Sequence, residues 1–183
     1  MTMEQLIRCF IACDLPSLLV DELVRLQKMI REKNLFVGRW VGKEQLHLTL
    51  KFLGEISEKN LTEAKKRLAK IHFAPFTVSL GEIGLFSPSS TRILWIQLLG
   101  AEEIQASIDN TLHGLFPSEH RFMGHITLAR IKEVKNLVAF REYLSGIEIK
   151  RSFLIDRFYL KQSQLSSRGS HYTNLEEYHL NSS

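Results

Sequence analysis

The hydrophobic residues of this chain follow two different periods, and the period changes repeatedly from one segment to the next. Segments in which apolar and polar residues alternate predict β-strands, whereas apolar residues three or four positions apart predict amphipathic helices. Strands are predicted at residues 6–13, 36–41, 45–53, 76–86, 92–99, 122–131, 147–162 and 172–180. Helices are predicted at residues 18–32, 58–71, 101–116 and 134–144.

Residues that cap helices or form turns mark the boundaries of these elements. Pro16 ends the first strand because it lacks a backbone N–H, and Ser17 and Ser57 stand where helix N-caps are expected. Residues 87–90 predict the turn of a hairpin, and the polar segment 163–170 is predicted as a loop between the last two strands. Strands that alternate with helices and also form hairpins predict an α+β fold with antiparallel or mixed sheets.

Two of the predicted strands contain the same polar pair, His47 with Thr49 and His125 with Thr127, and leucine or isoleucine separates the two residues of each pair and follows the threonine. Residues i and i+2 of a strand project from the same face, about 7 Å apart. The apolar residues are therefore predicted to be buried, while each histidine faces outward beside its threonine. The repeat of helix, histidine strand and helix predicts two similar lobes, with the histidine strands lining a cleft between them.

Composition and charge change this picture little. The chain has 183 residues, of which 44% are hydrophobic and 24% are charged, as in ordinary globular proteins. The net charge of +4 and the isoelectric point of about 9.1 give weak support to an anionic partner. Cys9 and Cys13 lack a second pair and predict buried, reduced thiols. Arg8 and Asp14 interrupt the short apolar run near the N-terminus, so no signal peptide or membrane span is predicted and a cytoplasmic location is expected.

Two histidines that face each other across a cleft can act as a general acid and a general base, because imidazole titrates near neutral pH. The threonine hydroxyls can donate hydrogen bonds to phosphate oxygens that gain charge in the transition state. Hydrolysis of a cyclic phosphodiester needs these groups and no metal ion. A single histidine in a strand is usually structural, but the repeated context favours function. A zinc site is also conceivable, although two histidines without a nearby carboxylate or thiolate are a poor ligand set.

These motifs give the sequence a specific resemblance. His47-Leu48-Thr49-Leu50 and the tetrapeptide at residues 125–128 resemble the two HxTx motifs of the RNA 2′,3′-cyclic phosphodiesterases, a family also known as LigT, ThpR or 2′-5′ RNA ligases. The resemblance covers nearly the whole chain, including RCFIACDLP near the start and GLFSPSSTRILWIQL in the middle. It implies the bilobal two-histidine phosphoesterase fold, with lobes related by an approximate two-fold axis and residues 1–183 forming one domain.

The same resemblance implies an activity and roles for the motif residues. The family hydrolyses the 2′,3′-cyclic phosphate at an RNA end to a 2′-phosphate and releases the 3′ oxygen. By this resemblance His47 donates the proton to the leaving oxygen, His125 accepts a proton from the attacking water, and Thr49 and Thr127 bind the substrate. No cofactor and no metal is expected. The site is nearly symmetric, and the reverse reaction exchanges the roles of acid and base.

Three further residues are predicted to bind substrate. Arg130 matches the arginine that follows the second family motif, but strict alternation would place it on the face opposite His125 unless the strand bends or ends. Lys51 shares the face of His47 in an ideal strand and is either a second phosphate contact or a solvated strand-end lysine. Tyr172 either contacts the terminal nucleotide or packs within its strand.

Two features concern the walls of the predicted cleft. Gly124 replaces the proline that most often precedes the second family histidine, so the approach to that strand is expected to be looser. Phe10 and Trp40 are predicted to be core residues rather than a platform for a base.

Alternative functions remain open at the level of sequence. The same site can join RNA ends through a 2′-5′ linkage, for example between tRNA half-molecules, because a catalyst accelerates both directions of a reaction. A non-catalytic module that binds RNA ends, or a 2′-5′ oligoadenylate phosphodiesterase, is a further possibility. The expected partners are RNA with a 2′,3′-cyclic phosphate end, such as a tRNA fragment, or a cyclic nucleotide. We expect a monomer and no membrane association.

Overall fold

The computed structural model describes residues 6–86, 92–166 and 169–181, and the turn predicted at residues 87–90 lies outside these ranges. The helices of the described residues are α1 (Ser17–Glu32), α2 (Glu58–Leu68), α3 (Glu102–Thr111) and α4 (Leu137–Ser145). The strands are β1 (Ile7–Asp14), β2 (Phe36–Trp40), β3 (His47–Ile56), β4 (Phe76–Phe86), β5 (Arg92–Leu99), β6 (His125–Val134), β7 (Ser152–Ile155), β8 (Arg157–Ser166) and β9 (Gly169–His179). None of these helices is long and apolar enough to cross a membrane.

The strands form two sheets, and each sheet contains one histidine strand. The first sheet has the order β3-β1-β8-β9, and the second has the order β2-β6-β5-β4-β7. All of the strand pairs that the structure describes are antiparallel. The α+β class and the antiparallel pairing predicted from the sequence are therefore confirmed.

Both sheets share one hydrophobic core. The apolar faces of β3 and β6 contribute Leu48, Leu50, Ile126 and Leu128, each at most 1% exposed, to a single cluster of buried residues. Burial of a side chain of this size stabilises the fold by about 1.5–3 kcal/mol. These residues fix the orientation of both strands, because turning either strand over would expose its leucines and isoleucines to water.

The helices begin and end close to the predicted positions, with differences that have local causes. The Ser57 side chain accepts a hydrogen bond from the Asn60 amide and caps α2 as predicted, whereas Ser17 is already the first residue of α1. Leu18 faces solvent instead of joining the apolar stripe of that helix. Helix α3 ends at Thr111 rather than at residue 116, shortly before Gly114 adopts a positive φ of 76°.

The C-terminal third differs most from the sequence prediction. The strand expected at residues 147–162 is two strands that separate at Asp156 and join different sheets. The polar segment expected to be a loop is also largely strand, since β8 runs to Ser166 and pairs with β9 from Gly169 onward. Pairing across this hairpin satisfies the backbone groups of a segment whose composition is typical of a loop.

Candidate active site

Each histidine strand contains a β-bulge at the same place. Along β1 and β3 the pairing passes from Ala12 with Thr49 to Ile11 with Lys51, which leaves Leu50 as the extra residue. Along β5 and β6 the equivalent step leaves Leu128 as the extra residue. A bulge of one residue reverses the alternation of faces beyond it. In both strands, a position beyond the bulge that strict alternation would bury is therefore exposed, and a position that it would expose is buried.

The bulge in β6 determines the position of Arg130. Without it, Arg130 would lie on the face opposite His125, as strict alternation requires. Beyond Leu128 the faces are exchanged, so that Ala129 is buried and Arg130 is exposed and lines the same cleft as His125. The bulge thus supplies the change of face on which the predicted role of Arg130 depended.

The bulge in β3 turns Lys51 away from the cleft, so the prediction of a phosphate contact for Lys51 is wrong. Its side chain is buried and forms an ion pair with Asp109 of α3, and its ammonium also donates a hydrogen bond to the Pro117 carbonyl at 2.6 Å. Burial acts to raise the pKa of the Asp109 carboxyl, but hydrogen bonds from Lys51 and the Glu119 amide outweigh this effect and lower the pKa. The alternative prediction, a solvated lysine at the end of the strand, is also wrong, because the buried ion pair of Lys51 connects β3 to α3.

The two imidazoles are oriented by identical main-chain hydrogen bonds. His47 Nδ1 lies 2.7 Å from the Gln45 carbonyl oxygen, and His125 Nδ1 lies 2.8 Å from the Met123 carbonyl oxygen. A carbonyl oxygen only accepts hydrogen bonds, so Nδ1 must carry the proton in both rings. The Nε2 atom of each ring is left to accept a proton in the neutral form or to donate one in the charged form.

Aromatic rings hold each imidazole from the side. The Phe10 and Tyr172 rings lie 5.2 Å from the His47 ring, with Tyr172 in an edge-on arrangement, and 5.1 Å from each other. On the other lobe, the Phe86 ring lies edge-on to His125 at 5.1 Å. These contacts restrict rotation of the imidazoles and pre-organise the site.

The cleft between the two sheets has a volume of about 760 Å³. All of the predicted site residues except Lys51 line it, namely His47, Thr49, His125, Thr127, Arg130 and Tyr172. Phe10 is 3% exposed, in agreement with its predicted place in the core, but its ring also forms part of the cleft wall. Trp40 is half-buried between the cleft and the core residue Phe36, whose ring is 5.1 Å away.

The surroundings of His47 disfavour its charged form. Burial lowers the pKa of His47, and the hydrogen bond to the Gln45 carbonyl offsets part of this effect. The Lys161 ammonium lowers the pKa further, whereas the Asp14 carboxylate raises it. Asp14 lies directly opposite His47 in the pairing of β1 with β3, and Lys161 forms an ion pair of 2.7 Å with Asp14. Before substrate binds, His47 is therefore more readily neutral than an ordinary histidine.

The approach to the second histidine is tight rather than loose. The Gly124 carbonyl accepts a hydrogen bond of 2.8 Å from the Leu98 amide, so the segment is already fastened to β5. A Cβ atom at position 124 would lie 2.3 Å from the Leu98 carbonyl oxygen. Glycine is needed here because the two backbones approach too closely for a side chain, and the expectation of a looser approach is wrong.

Phe52 and Arg39 are among the cleft-lining residues that the sequence analysis did not identify. Phe52 occupies the position in β3 that Arg130 occupies in β6, each following its bulge by two residues. Arg39 lies directly opposite Arg130 in the pairing of β2 with β6, and its guanidinium packs against Gly169 of the β8–β9 hairpin. Phe52 and Arg130 stand at equivalent positions after His47 and His125, so the sequence relates the two residues to each other. Strict alternation, however, places both side chains on the face opposite the histidines.

The structure offers no obvious ligand set for a metal in the part of the chain that it describes. Within those ranges, no group of three or more His, Cys, Asp and Glu side chains is placed to hold a metal ion. Cys9 and Cys13 are both buried and free, and burial raises the pKa of the Cys9 thiol to about 11. Both thiols are held in the neutral form, which is a poor nucleophile and a poor ligand.

Comparison with known proteins shows similarity over most of the chain. The family model described as LigT like phosphoesterase matches residues 14–95 and 100–172. An RNA 2′,3′-cyclic phosphodiesterase from Aeropyrum pernix is 34% identical over 87% of this chain and 95% of its own length. One from Archaeoglobus fulgidus is 32% identical over 92% of this chain and 97% of its own length.

The fold is shared with a solved structure of lower sequence identity. LigT of Escherichia coli, crystallised in the apo form, superposes with a TM-score of 0.78 and 23% identity, covering 96% of this chain and 98% of that protein. The predicted LigT-like fold is thereby confirmed. Since the family model also matches most of the sequence, this chain belongs to the LigT-like phosphoesterase family.

Proposed function

We propose that this protein hydrolyses RNA 2′,3′-cyclic phosphodiester ends to 2′-phosphomonoesters, using His47 and His125 as general acid and base without a metal ion. One observation carries the proposal. Each imidazole commits Nδ1 to a main-chain carbonyl and keeps Nε2 for a ligand, at equivalent places on two bulged strands that line one cleft. Relatives that match over nearly the whole chain bear the name of this activity.

The reaction follows from this arrangement. His125 Nε2, in its neutral form, takes a proton from a water molecule as the water oxygen attacks phosphorus. The bond from phosphorus to the 3′ oxygen breaks on the opposite side, and His47 Nε2 gives its proton to that oxygen. The products are a 2′-phosphomonoester and a free 3′ hydroxyl, and a proton has passed from water to the leaving oxygen. Each proton transfer of this kind typically contributes about 10² to 10⁴ in rate.

The residues beside the histidines serve the phosphate. Thr49 and Thr127 lie on the cleft side of their strands, one position before the bulge residue. Their hydroxyls can donate to the non-bridging oxygens, and the Arg130 guanidinium can bind the same group through two parallel hydrogen bonds. Charge that accumulates on these oxygens in the transition state is stabilised by donors that are already in place.

The protonation state of His47 depends on the substrate. Because burial and Lys161 lower the pKa of His47, the free protein holds little of the charged form at neutral pH. A bound phosphodiester carries a negative charge, which favours the charged imidazole and raises its pKa. His47 therefore gains its proton most readily when the substrate is in the cleft, which suits an acid that must act once in each turnover.

The test is a product analysis in the presence of chelator. Adenosine 2′,3′-cyclic phosphate incubated with the protein and EDTA should yield the 2′-phosphate, identified by ³¹P NMR or chromatography against both isomers. His47→Ala and His125→Ala should each abolish most of the activity. Loss of activity on chelation, formation of the 3′-phosphate, or full activity in either variant would contradict the proposal.

The alternative functions give different outcomes in the same assay. A module that only binds RNA ends would retain the cyclic phosphate on its surface, and log affinity would fall linearly with log salt concentration without turnover. A ligase would convert tRNA half-molecules into 2′-5′-joined products at equilibrium. We also infer a cytoplasmic location and a monomeric state, which fractionation of cells and light scattering would check.

A further inference from the structure

Gln27 is a polar residue on the buried face of α1, where it is only 7% exposed. The other buried residues of this helix are apolar, namely Leu19, Leu23, Leu26 and Ile30. A leucine would fill such a position at lower cost, because a buried amide loses its hydrogen bonds to water and must replace them. A glutamine at this place therefore indicates a role for its hydrogen bonds beyond packing.

The Gln27 amide finds its acceptors in the second sheet. Its Nε2 donates at 2.9 Å to the carbonyl of Val41, directly after β2, and at 2.9 Å to the carbonyl of Leu128 in β6. The helix that carries Gln27 follows β1, a strand of the first sheet. The side chain thus connects the second sheet to a helix that continues from the first.

Leu128 is the extra residue of the bulge in β6. The ladder is interrupted at a bulge, so the backbone groups there need partners from elsewhere. The Leu128 carbonyl has two, because the Val41 amide also donates to it at 2.9 Å. Its oxygen belongs to the planar peptide that joins Leu128 to Ala129, so two donors from different segments fix the orientation of that peptide.

This peptide is the point at which the faces of β6 are exchanged. His125 and Thr127 precede it and Arg130 follows it, and all three line the same cleft because of the bulge. A shift of the peptide would move Arg130 relative to the two residues before it. Displacement of a catalytic group by about 1 Å can lower a rate about a hundredfold. The orientation of one peptide therefore matters for the phosphate site.

The second half of the chain has an equivalent glutamine without these contacts. Gln105 of α3 lies 78 positions after Gln27, the interval that also separates the two histidines, and it is 5% exposed. Among the described residues, its Nε2 has no hydrogen-bond partner. Beside the bulge of β3, the buried ion pair of Lys51 with Asp109 connects the strand to α3 instead. The two histidine strands are thus fastened by different means.

We propose that Gln27 is a positioning residue, which holds the bulge of β6 in the geometry that places the Arg130 guanidinium at the phosphate. This inference rests on the proposed function for the role of Arg130. Gln27 does not itself line the cleft, so its contribution must act through Arg130. Removal of its amide should therefore lower activity only in a protein that retains Arg130.

The experiment is a double-variant cycle on adenosine 2′,3′-cyclic phosphate. Gln27→Met nearly keeps the shape of the side chain but removes both N–H groups, and it should lower kcat/KM about tenfold. In an Arg130→Ala background, the same substitution should lower kcat/KM by no more than about twofold. Losses of the same size in both backgrounds, or full activity in folded Gln27→Met, would overturn the inference.

Gln105→Met is the matched control, because it makes the same change at a glutamine that is equally buried and whose Nε2 donates to no described residue. Its kcat/KM should stay within about twofold of the wild type. If Gln27→Met does not fold, Gln27→Asn supplies the cycle, since its amide is one methylene shorter and cannot reach both carbonyls. Equal losses in the variants at positions 27 and 105 would indicate a general effect of packing and contradict the role of the hydrogen bonds.

A binding measurement keeps this test separate from the test of the proposed function. Inorganic phosphate, titrated into the protein and followed by NMR, should bind the wild type more tightly than Gln27→Met. It should bind Arg130→Ala with the same affinity whether or not Gln27 is replaced. If the wild type hydrolyses no cyclic phosphate, the proposed function fails, but this pattern still supports the positioning role. Equal phosphate affinity of the wild type and Gln27→Met, or no binding by the wild type, contradicts it.

Discussion

Strands β3 and β6 are two versions of one structural unit, and the comparison between them separates what the chemistry requires from what the substrate requires. Both begin with a histidine whose Nδ1 binds the carbonyl two residues earlier, and both bulge at the fourth residue. The order of buried and exposed positions is the same through the first nine residues. Among the positions at which their residues differ, the fifth and sixth differ most near the site, because β3 has Lys51 and Phe52 there and β6 has Ala129 and Arg130.

In the proposed mechanism, the shared part supplies two proton transfers on opposite sides of one phosphorus atom, and these transfers need similar groups in similar positions. The differing part makes the two sides of the cleft unequal, with a bare ring on one side and a guanidinium on the other. A cyclic phosphate with a nucleoside on one side only is itself asymmetric. The difference between the strands therefore sets the direction in which we expect the substrate to lie.

The largest expected effect is the loss of activity on replacing either histidine, and a second substrate distinguishes the general acid from the general base. His47→Ala and His125→Ala should each lower kcat on a cyclic nucleotide by about 10² to 10⁴. A phosphodiester with a p-nitrophenolate leaving group needs no acid, because that anion leaves without a proton. On this substrate His47→Ala should recover most of its activity and His125→Ala should not. If His125→Ala recovered its activity on this substrate instead, His125 would be the general acid and His47 the general base.

The next largest effect is a loss of activity, without a loss of stability, when Arg130 is replaced. Arg130→Ala should lower kcat/KM about a hundredfold, because a guanidinium that binds phosphate in the transition state is lost. Arg130→Lys should restore only part of the loss, since an ammonium cannot form two parallel hydrogen bonds. Lys132→Ala, an exposed position on the same strand, serves as the control. An equal decrease in that variant would indicate a general effect of charge rather than a contact.

Replacement of Lys51 should have the opposite effect, a loss of stability without a loss of catalytic activity. Lys51→Met should reduce the free energy of unfolding by about 3 kcal/mol, because Asp109 would be left without its partner in a largely buried place. Urea denaturation measures this change. The double variant Lys51→Met with Asp109→Leu should recover much of it, and kcat should stay within about threefold in both. A large fall in kcat in a folded Lys51→Met would restore the role in phosphate binding predicted from the sequence.

The smallest expected effect is a shift in the titration of His47. Asp14 raises the pKa of His47 and Lys161 lowers it, so Asp14→Asn should move the titration to lower pH and Lys161→Met to higher pH. If His47 is the acid, kcat/KM falls as pH rises through this pKa, and that limb should move in the same two directions. The NMR titration of the His47 ring checks the assignment directly. Shifts of the same sign in both variants would contradict this electrostatic account.

Much of the fold and the central pair of the site could be predicted because they depend on local pattern. The apolar residues around His47 and His125 alternate strictly, and burying them leaves only one face for the histidines and threonines. The predicted helix stripes were mostly right for the same reason. The segment at residues 163–166 was missed because its composition is polar, and only pairing with β9 makes it a strand.

The sequence by itself determined the two HxTx pairs, their outward orientation and the α+β class, because strand and helix periods are properties of neighbouring residues. Only the tertiary structure decided the faces of Lys51, Phe52 and Arg130, because each bulge is a mismatch between a strand and its partner. The partner strands are distant in sequence, and no period within β3 or β6 encodes their register. Two bulges that alternation could not predict thus placed an arginine and a phenyl ring in the cleft and a lysine in the core.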